Sequence, residues 1–362
     1  MVRVIISSAN RLLIVLLFSL LLFVPQINGS MSSNRKLGKA PITAKGLSYD
    51  FYWISCPRVE RIIRKHLEDV FEKDPGQAPG ILRLFFHDCF SQGCDASIFL
   101  SGASGEQDTD ENFGLRPEAI ETIENLRALV RKQCPRVVSC SDILVIAARE
   151  AVRQFGGPDF DVPLGRKDSK FFNKSSAANL PKPFFKTGEL VKSFSDRNLD
   201  ATDLVALSGA HTYGLAHCGS LFNRTTDTQP PIDPEFRNGL IGKCPDEDSP
   251  VPIDLDIRTP NKFDNMYYID LLNQQGVFTS DQDLASDPRT REIVNQFSSN
   301  QKLFFDKFAN AFVKASQLQV LTGNDVNAEI RKTCFAPNND GFSSSSSSVL
   351  HEVVDSAETN NI

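Results

Sequence analysis

Long stretches of like charge are missing from this sequence. Its 39 Lys and Arg against 45 Asp and Glu leave a formal charge of -6, and the basic residues form no run. That excludes the field that would draw a polyanion, and with it a nucleic-acid partner. Sustained apolar/polar alternation is scarce, which argues against a β-rich domain. No repeat of about 20 to 50 residues is visible, so a solenoid is excluded. HExxH is absent, which removes the usual zinc protease, and no CxxC zinc pattern is repeated. Histidine is rare, with five in 362 residues: His66, His87, His211, His217 and His351.

The apolar block from Leu12 to Val24 falls short of the roughly 20 residues that a membrane span needs. It follows Arg3 and Arg11 and precedes Gly29 and Ser30, the order of a secretory signal peptide over 1–30, with an uncleaved anchor as the alternative. The mature chain is then exported, with no membrane span. Eight cysteines, an even number in a chain bound for an oxidising compartment, imply disulfides, although spacing alone does not choose among the pairings. Sequons at Asn173 and Asn223 mark these as candidate glycosylation sites.

Composition, 41% hydrophobic and 23% charged, is ample for one large domain or two fused lobes. Residues 31–46 are polar and aperiodic and read as a flexible lead, and the folded domain spans 47–335. The run from Ser343 to Ser348 makes 336–362 a low-complexity extension, ending in a short amphipathic tail. Between these ends the patterning is helical and the fold class mainly α. Val59, Ile62 or Ile63, Leu67 and Val70 form one stripe. Further helices are expected over 80–90, 117–133, 141–155, 187–197, 201–208, 264–275, 287–299 and 301–320.

Arg83, Phe86 and His87 stand in Ile81-Leu82-Arg83-Leu84-Phe85-Phe86-His87-Asp88-Cys89-Phe90. On a helix, Arg83 and His87 share a face one turn apart. A fixed cation beside a neutral imidazole suits peroxide cleavage: the imidazole moves a proton from one oxygen to the other, and the guanidinium stabilises the charge that develops. The plain alternative is a core histidine and a surface arginine sharing a face. A second histidine, His211, ends the apolar stretch from Leu204 to Ala210, while His66 lies in a charged helix and reads as solvated. His217 follows His211 by six residues, which does not put both on one helix face.

The block Arg83-Leu84-Phe85-Phe86-His87-Asp88-Cys89-Phe90 with Gly93-Cys94-Asp95-Ala96-Ser97 resembles the distal helix of the class III plant secretory haem peroxidases. The likeness runs from about Leu47 to Cys334. It implies two helical lobes enclosing one haem b, two calcium ions, and a monomer that reduces hydrogen peroxide while oxidising small phenolic donors. Arg83, Phe86 and His87 would be catalytic, Asn112 would accept a hydrogen bond from the distal imidazole, and His211 would be the axial iron ligand with Asp281 behind it.

The resemblance further implies a first calcium at Asp88, Ser91, Gly93, Asp95, Ser97 and, through water, Glu106, and a second at Thr212, Asp256, Thr259, Lys262 and Asp264. Taken alone, such acidic turns are ordinary solvated loops. It implies donor contact at Pro181 and disulfides Cys56–Cys134, Cys89–Cys94, Cys140–Cys334 and Cys218–Cys244. Three departures stand out. Asp110 and Glu111 replace small, apolar or proline residues, Leu255 stands where an aromatic is common, and Ser220 where some relatives have phenylalanine. The implied address is the cell wall, or the vacuole through the extension. The competing readings are a catalytically silent wall-binding protein on the same scaffold and a secreted zinc or calcium hydrolase.

Overall fold

In the computed structural model, residues 43–100 and 105–338 are described. The signal peptide over 1–30, most of the 31–46 lead and residues 339–362 of the extension lie outside them. Among the described residues the chain forms α1 (Val59–Lys73), α2 (Gln77–Ser91), α3 (Pro117–Gln133), α4 (Cys140–Gln154), β1 (Asp168–Ser169), α5 (Thr187–Ser195) and α6 (Ala201–Ser208). Then come β2 (Leu215–Ala216), the single turns α7 (Cys218–Leu221) and α8 (Asn223–Thr226), α9 (Pro234–Lys243) and β3 (Ile253–Asp254). Helices α10 (Met266–Leu272), α11 (Thr279–Ser286), α12 (Arg291–Ser299) and α13 (Gln301–Ala315) precede β4 (Ala328–Glu329). The strands make two small antiparallel ribbons, β1 with β4 and β2 with β3, so the fold is mainly α, as expected.

Local chemistry sets the helix starts. The Ser139 hydroxyl accepts from Asp142 N at 3.0 Å to open α4. Asp200 and Asp203 cap α6 reciprocally at 2.9 Å, and Pro117 occupies the first turn of α3, where no N–H is needed. On α1 the buried stripe is Val59, Ile63, Leu67 and Phe71, a strict i, i+4 row that leaves Val70 at its margin. His66 is half-buried rather than solvated, and its loss of water lowers its pKa.

Helices α1, α2 and α3 pack around α4, which is buried on every side from Cys140 to Val152. A second group joins α6 to α13 and α10 to α12. Phenylalanines connect the two: Phe85 on α2 stacks on Phe312 of α13 at 4.3 Å, and Phe160 meets Phe312 edge-on at 5.2 Å. Four disulfides pair Cys56–Cys134, Cys89–Cys94, Cys140–Cys334 and Cys218–Cys244. Each closed loop contributes about 2 to 4 kcal/mol.

Asp142 is the polar centre of the first lobe. Its carboxylate accepts from Arg166 Nη1 at 2.8 Å, Tyr52 Oη at 2.7 Å and Gly165 N at 2.7 Å, while Arg166 also donates to the Ser316 and Pro163 carbonyls. Both side chains are fully buried. Removing one partner strands the other charge without water. Asp142→Ala is therefore expected to cost about 3 to 5 kcal/mol in denaturant titration. A loss below about 1 kcal/mol would mean that the two carbonyls alone satisfy Arg166.

Candidate active site: two imidazoles with fixed tautomers

Helix α2 places Arg83 and His87 one turn apart, and Arg83 Nε donates to His87 Nε2 at 3.2 Å. The rest of the guanidinium donates to the carbonyls of Gly114 at 2.7 Å and Phe113 at 3.0 Å. His87 Nδ1 lies 2.6 Å from Asn112 Oδ1. The Asn112 amide nitrogen donates to the Glu106 carbonyl at 2.8 Å, which fixes its oxygen as the acceptor. His87 Nδ1 must then carry the hydrogen, leaving Nε2 as the basic nitrogen. Phe86 stacks on Phe90 at 4.3 Å with its ring 6.3 Å from His87.

Burial drives the His87 pKa down to about 3; the Arg83 charge adds to this and the bond to Asn112 opposes it. Arg83 falls to about 10 by loss of water and stays a cation at neutral pH. The pair is a neutral base next to a positive charge.

His211 follows α6 on a 3-10 turn, Gly209–Thr212. Its Nδ1 lies 2.7 Å from Asp281 Oδ1. Asp281 also accepts from Tyr267 Oη at 2.9 Å and from Phe278 N at 3.1 Å, so three donors hold one buried carboxylate. With Nδ1 so engaged, Nε2 presents its lone pair. Phe278 packs edge-on against His211 at 5.4 Å and Tyr267 at 6.2 Å. Leu255 and Phe278 both pack against the same small cluster. Neither Tyr267 nor Phe278 was legible in the sequence. A buried Tyr one helix away from an Asp has no local pattern.

The end of α2 and the chain after it carry Asp88, Ser91, Gly93, Asp95, Ser97 and Glu106. Asp88 accepts from Ala96 N at 3.0 Å, and Asp95 from Ser97 N at 3.0 Å. The Ser91 and Ser97 hydroxyls and both Glu106 carboxylate oxygens are buried, and none completes a hydrogen bond among the described groups. Burial, together with mutual repulsion for Asp88, raises the carboxyl pKa of Asp88, Asp95 and Glu106. Among the described residues no three His, Cys, Asp or Glu form a metal centre by side chains alone. A hard cation that takes mixed hydroxyl, carbonyl and carboxylate oxygens matches those orphaned atoms.

On the other side Thr212 Oγ1 lies 3.0 Å from Asp256 Oδ2, 3.4 Å from the Lys262 carbonyl and 3.5 Å from Asp264 Oδ1. Thr259 Oγ1 lies 3.0 Å from Asp264 Oδ1. All five sequence-expected residues therefore meet at one point. Pro181 is half-buried, and Lys182 beside it pairs with Glu111. Asn173 is exposed, whereas the Asn223 amide nitrogen donates to Thr279 Oγ1.

Two helical lobes, with an amide-held basic imidazole on one side and a carboxylate-held imidazole on the other, define a haem peroxidase. The peroxidase family profile matches residues 63–300, and the chain belongs to that family, in its class III plant branch. It is 48% identical to Peroxidase 12 of Arabidopsis thaliana over 97% of this chain and 98% of that protein. It is 47% identical to Cationic peroxidase SPC4 of Sorghum bicolor, over 83% and 84% of the two chains. Peroxidase 47 of Arabidopsis thaliana is 41% identical over 81% and 90%.

If the peroxide step uses His87 as its base, only the neutral ring would serve, and the depressed pKa would keep it available far into acid. The rate of peroxide reduction by haem-loaded protein should hold from pH 8 to about 5 and fall as pH drops through about 3. A break near the ordinary imidazole value of about 6.5 would contradict a buried base.

Proposed function

We propose that Arg83 and His87 carry the peroxide step, with Asn112 fixing the base and His211 and Asp281 acting from the opposite side. The observation behind this is the Arg83–His87–Asn112–Glu106 chain of hydrogen bonds, which leaves His87 Nε2 basic and next to a cation. His87 Nε2 takes the proton from the peroxide oxygen nearer the proximal side and returns it to the departing one. Arg83 stabilises the charge on that departing oxygen, and Phe86 closes the apolar wall beside His87.

One haem b, bound through His211 Nε2, would supply two electrons to peroxide and regain them singly from donors. Asp281, by holding Nδ1–H, raises the basicity of that ligand. One peroxide and two phenols become two waters and two phenoxyl radicals. Each phenol gives up one electron and one proton. Pro181 lies at the rim where such donors would meet the protein.

Two calcium ions complete the reading. Asp88, Ser91, Gly93, Asp95, Ser97 and Glu106 would hold one, and Thr212, Asp256, Thr259, Lys262 and Asp264 the other. The unpartnered hydroxyls and Glu106 oxygens support the first, and the convergence on Thr212 Oγ1 supports the second. Because the Glu106 carbonyl holds Asn112, the first ion would also steady the base. Residues 1–30 as a secretory signal, 31–46 as a lead, 47–335 as the peroxidase domain and 336–362 as a removable sorting extension make the mature protein an exported monomer of wall or vacuole. No helix among the described residues is long and apolar enough to cross a membrane. Asn173, with its exposed amide, is the better glycan acceptor of the two sequons.

His87→Ala in haem-loaded protein should slow peroxide reduction by about 10²- to 10⁴-fold, read by stopped-flow, with the Soret band retained; a wild-type rate removes His87 from the mechanism. Chelation combined with disulfide reduction should shift or weaken the Soret band. A band unchanged after both treatments counts against the calcium assignment.

A further inference from the structure

The Lys182–Glu111 ion pair has no part in the two-imidazole chemistry, and it is linked through its chain neighbours to the residues that hold each imidazole. Lys182 Nζ lies 2.6 Å from Glu111 Oε1, with the side chains 26% and 18% exposed. Glu111 adjoins Asn112, the partner of His87. One residue beyond Lys182, the Pro183 carbonyl accepts from Ser280 N at 2.9 Å, and Ser280 adjoins Asp281, the partner of His211. The segment from Pro181 to Pro183 therefore bridges the distal loop, through Glu111, and the start of the proximal helix, through Ser280.

The charges on that rim are arranged unevenly. Asp108 and Asp110 are exposed on the distal loop. Arg83 already donates to His87 and to the carbonyls of Phe113 and Gly114. Lys182 follows Pro181 in the chain, and Glu111 occupies its ammonium. The bond to Lys182 in turn holds the Glu111 carboxyl below the usual carboxylate range. A donor bearing its own carboxylate meets two exposed aspartates and a lysine already neutralised.

We propose that the Glu111–Lys182 pair sets donor preference toward uncharged phenols, by withholding the Lys182 ammonium from phenols that carry a carboxylate. The inference rests on reading the Pro181 segment as the donor rim. It also gives a role to Glu111, whose residue type the family resemblance left unexplained. An aromatic ring approaching Pro181 with a free anionic tail would need Lys182 unpaired. A neutral side chain needs nothing there.

The test compares ferulate with coniferyl alcohol, which share a ring and differ in the charge of the tail. Haem-loaded full-length protein is measured as wild type, Glu111→Gln, Lys182→Arg and the double variant Glu111→Gln/Lys182→Gln, each checked by its Soret band. In Glu111→Gln the ratio of kcat/KM for ferulate over coniferyl alcohol should rise about three- to tenfold, through the KM for ferulate. The rise should vanish in about 0.5 M salt and in the double variant, while Lys182→Arg keeps the wild-type ratio. An unchanged ratio in Glu111→Gln overturns the proposal, and so does a rise that survives salt or loss of Lys182. A slower peroxide step with an unchanged ratio also overturns it, assigning the pair to the support of Asn112. The peroxide role of His87 is read by its own substitution, so the two readings fail separately.

Discussion

The hydrogen bond between His87 Nδ1 and Asn112 Oδ1 is the constraint from which the site follows. It decides which ring nitrogen is basic, and it exists only because the Asn112 amide is itself oriented by the Glu106 carbonyl. Glu106 carries two buried carboxylate oxygens that, like the Ser91 and Ser97 hydroxyls, complete no hydrogen bond among the described groups. A short backbone segment thus links the unpartnered Glu106 carboxylate to the amide that orients His87. The proximal side repeats the logic with a carboxylate in place of an amide, since three donors fix Asp281 and Asp281 fixes His211.

Each imidazole needs its own lobe, and the lobes are joined by packing rather than by sheet. Helix α2 carries Arg83 and His87 on its inner face and buries Phe85 against Phe312 of α13 on another. Displacing α13 would therefore shift the helix that bears the base. Asp142 and Arg166 reinforce the joint, because Arg166 reaches the Ser316 carbonyl just past the end of α13.

Helices with strong local signals were legible in the sequence. The 117–133 helix begins at a proline and 201–208 at an aspartate cap, and both occur with those bounds. The 264–275 helix is shorter, since Asp264 turns to accept from Met266 N and Gln274 adopts a left-handed backbone. Helix α11 went unread: of its apolar residues only Leu284 is buried, too few to show a period. Helix α9 was also missed, although Asp233 before Pro234 was a usable start signal. The paired residues of the site came through resemblance to known peroxidases. Tyr267, Phe278 and the Lys182–Glu111 contact bridge 14 to 71 positions or depend on side-chain direction, and no local pattern encodes them.

The phenylalanine-rich interior has a redox consequence. The sequence has 27 Phe against 5 Tyr and 1 Trp, and the lone indole, Trp53, faces solvent. Benzene rings give up electrons far less readily than phenols or indoles. Tyr267, 6.2 Å from His211, and its neighbour Tyr268 are buried phenols, and loss of water makes their protons hard to remove. A chain that generates strong oxidants is thereby packed with fuel that does not burn, and oxidising power is left for molecules arriving from outside.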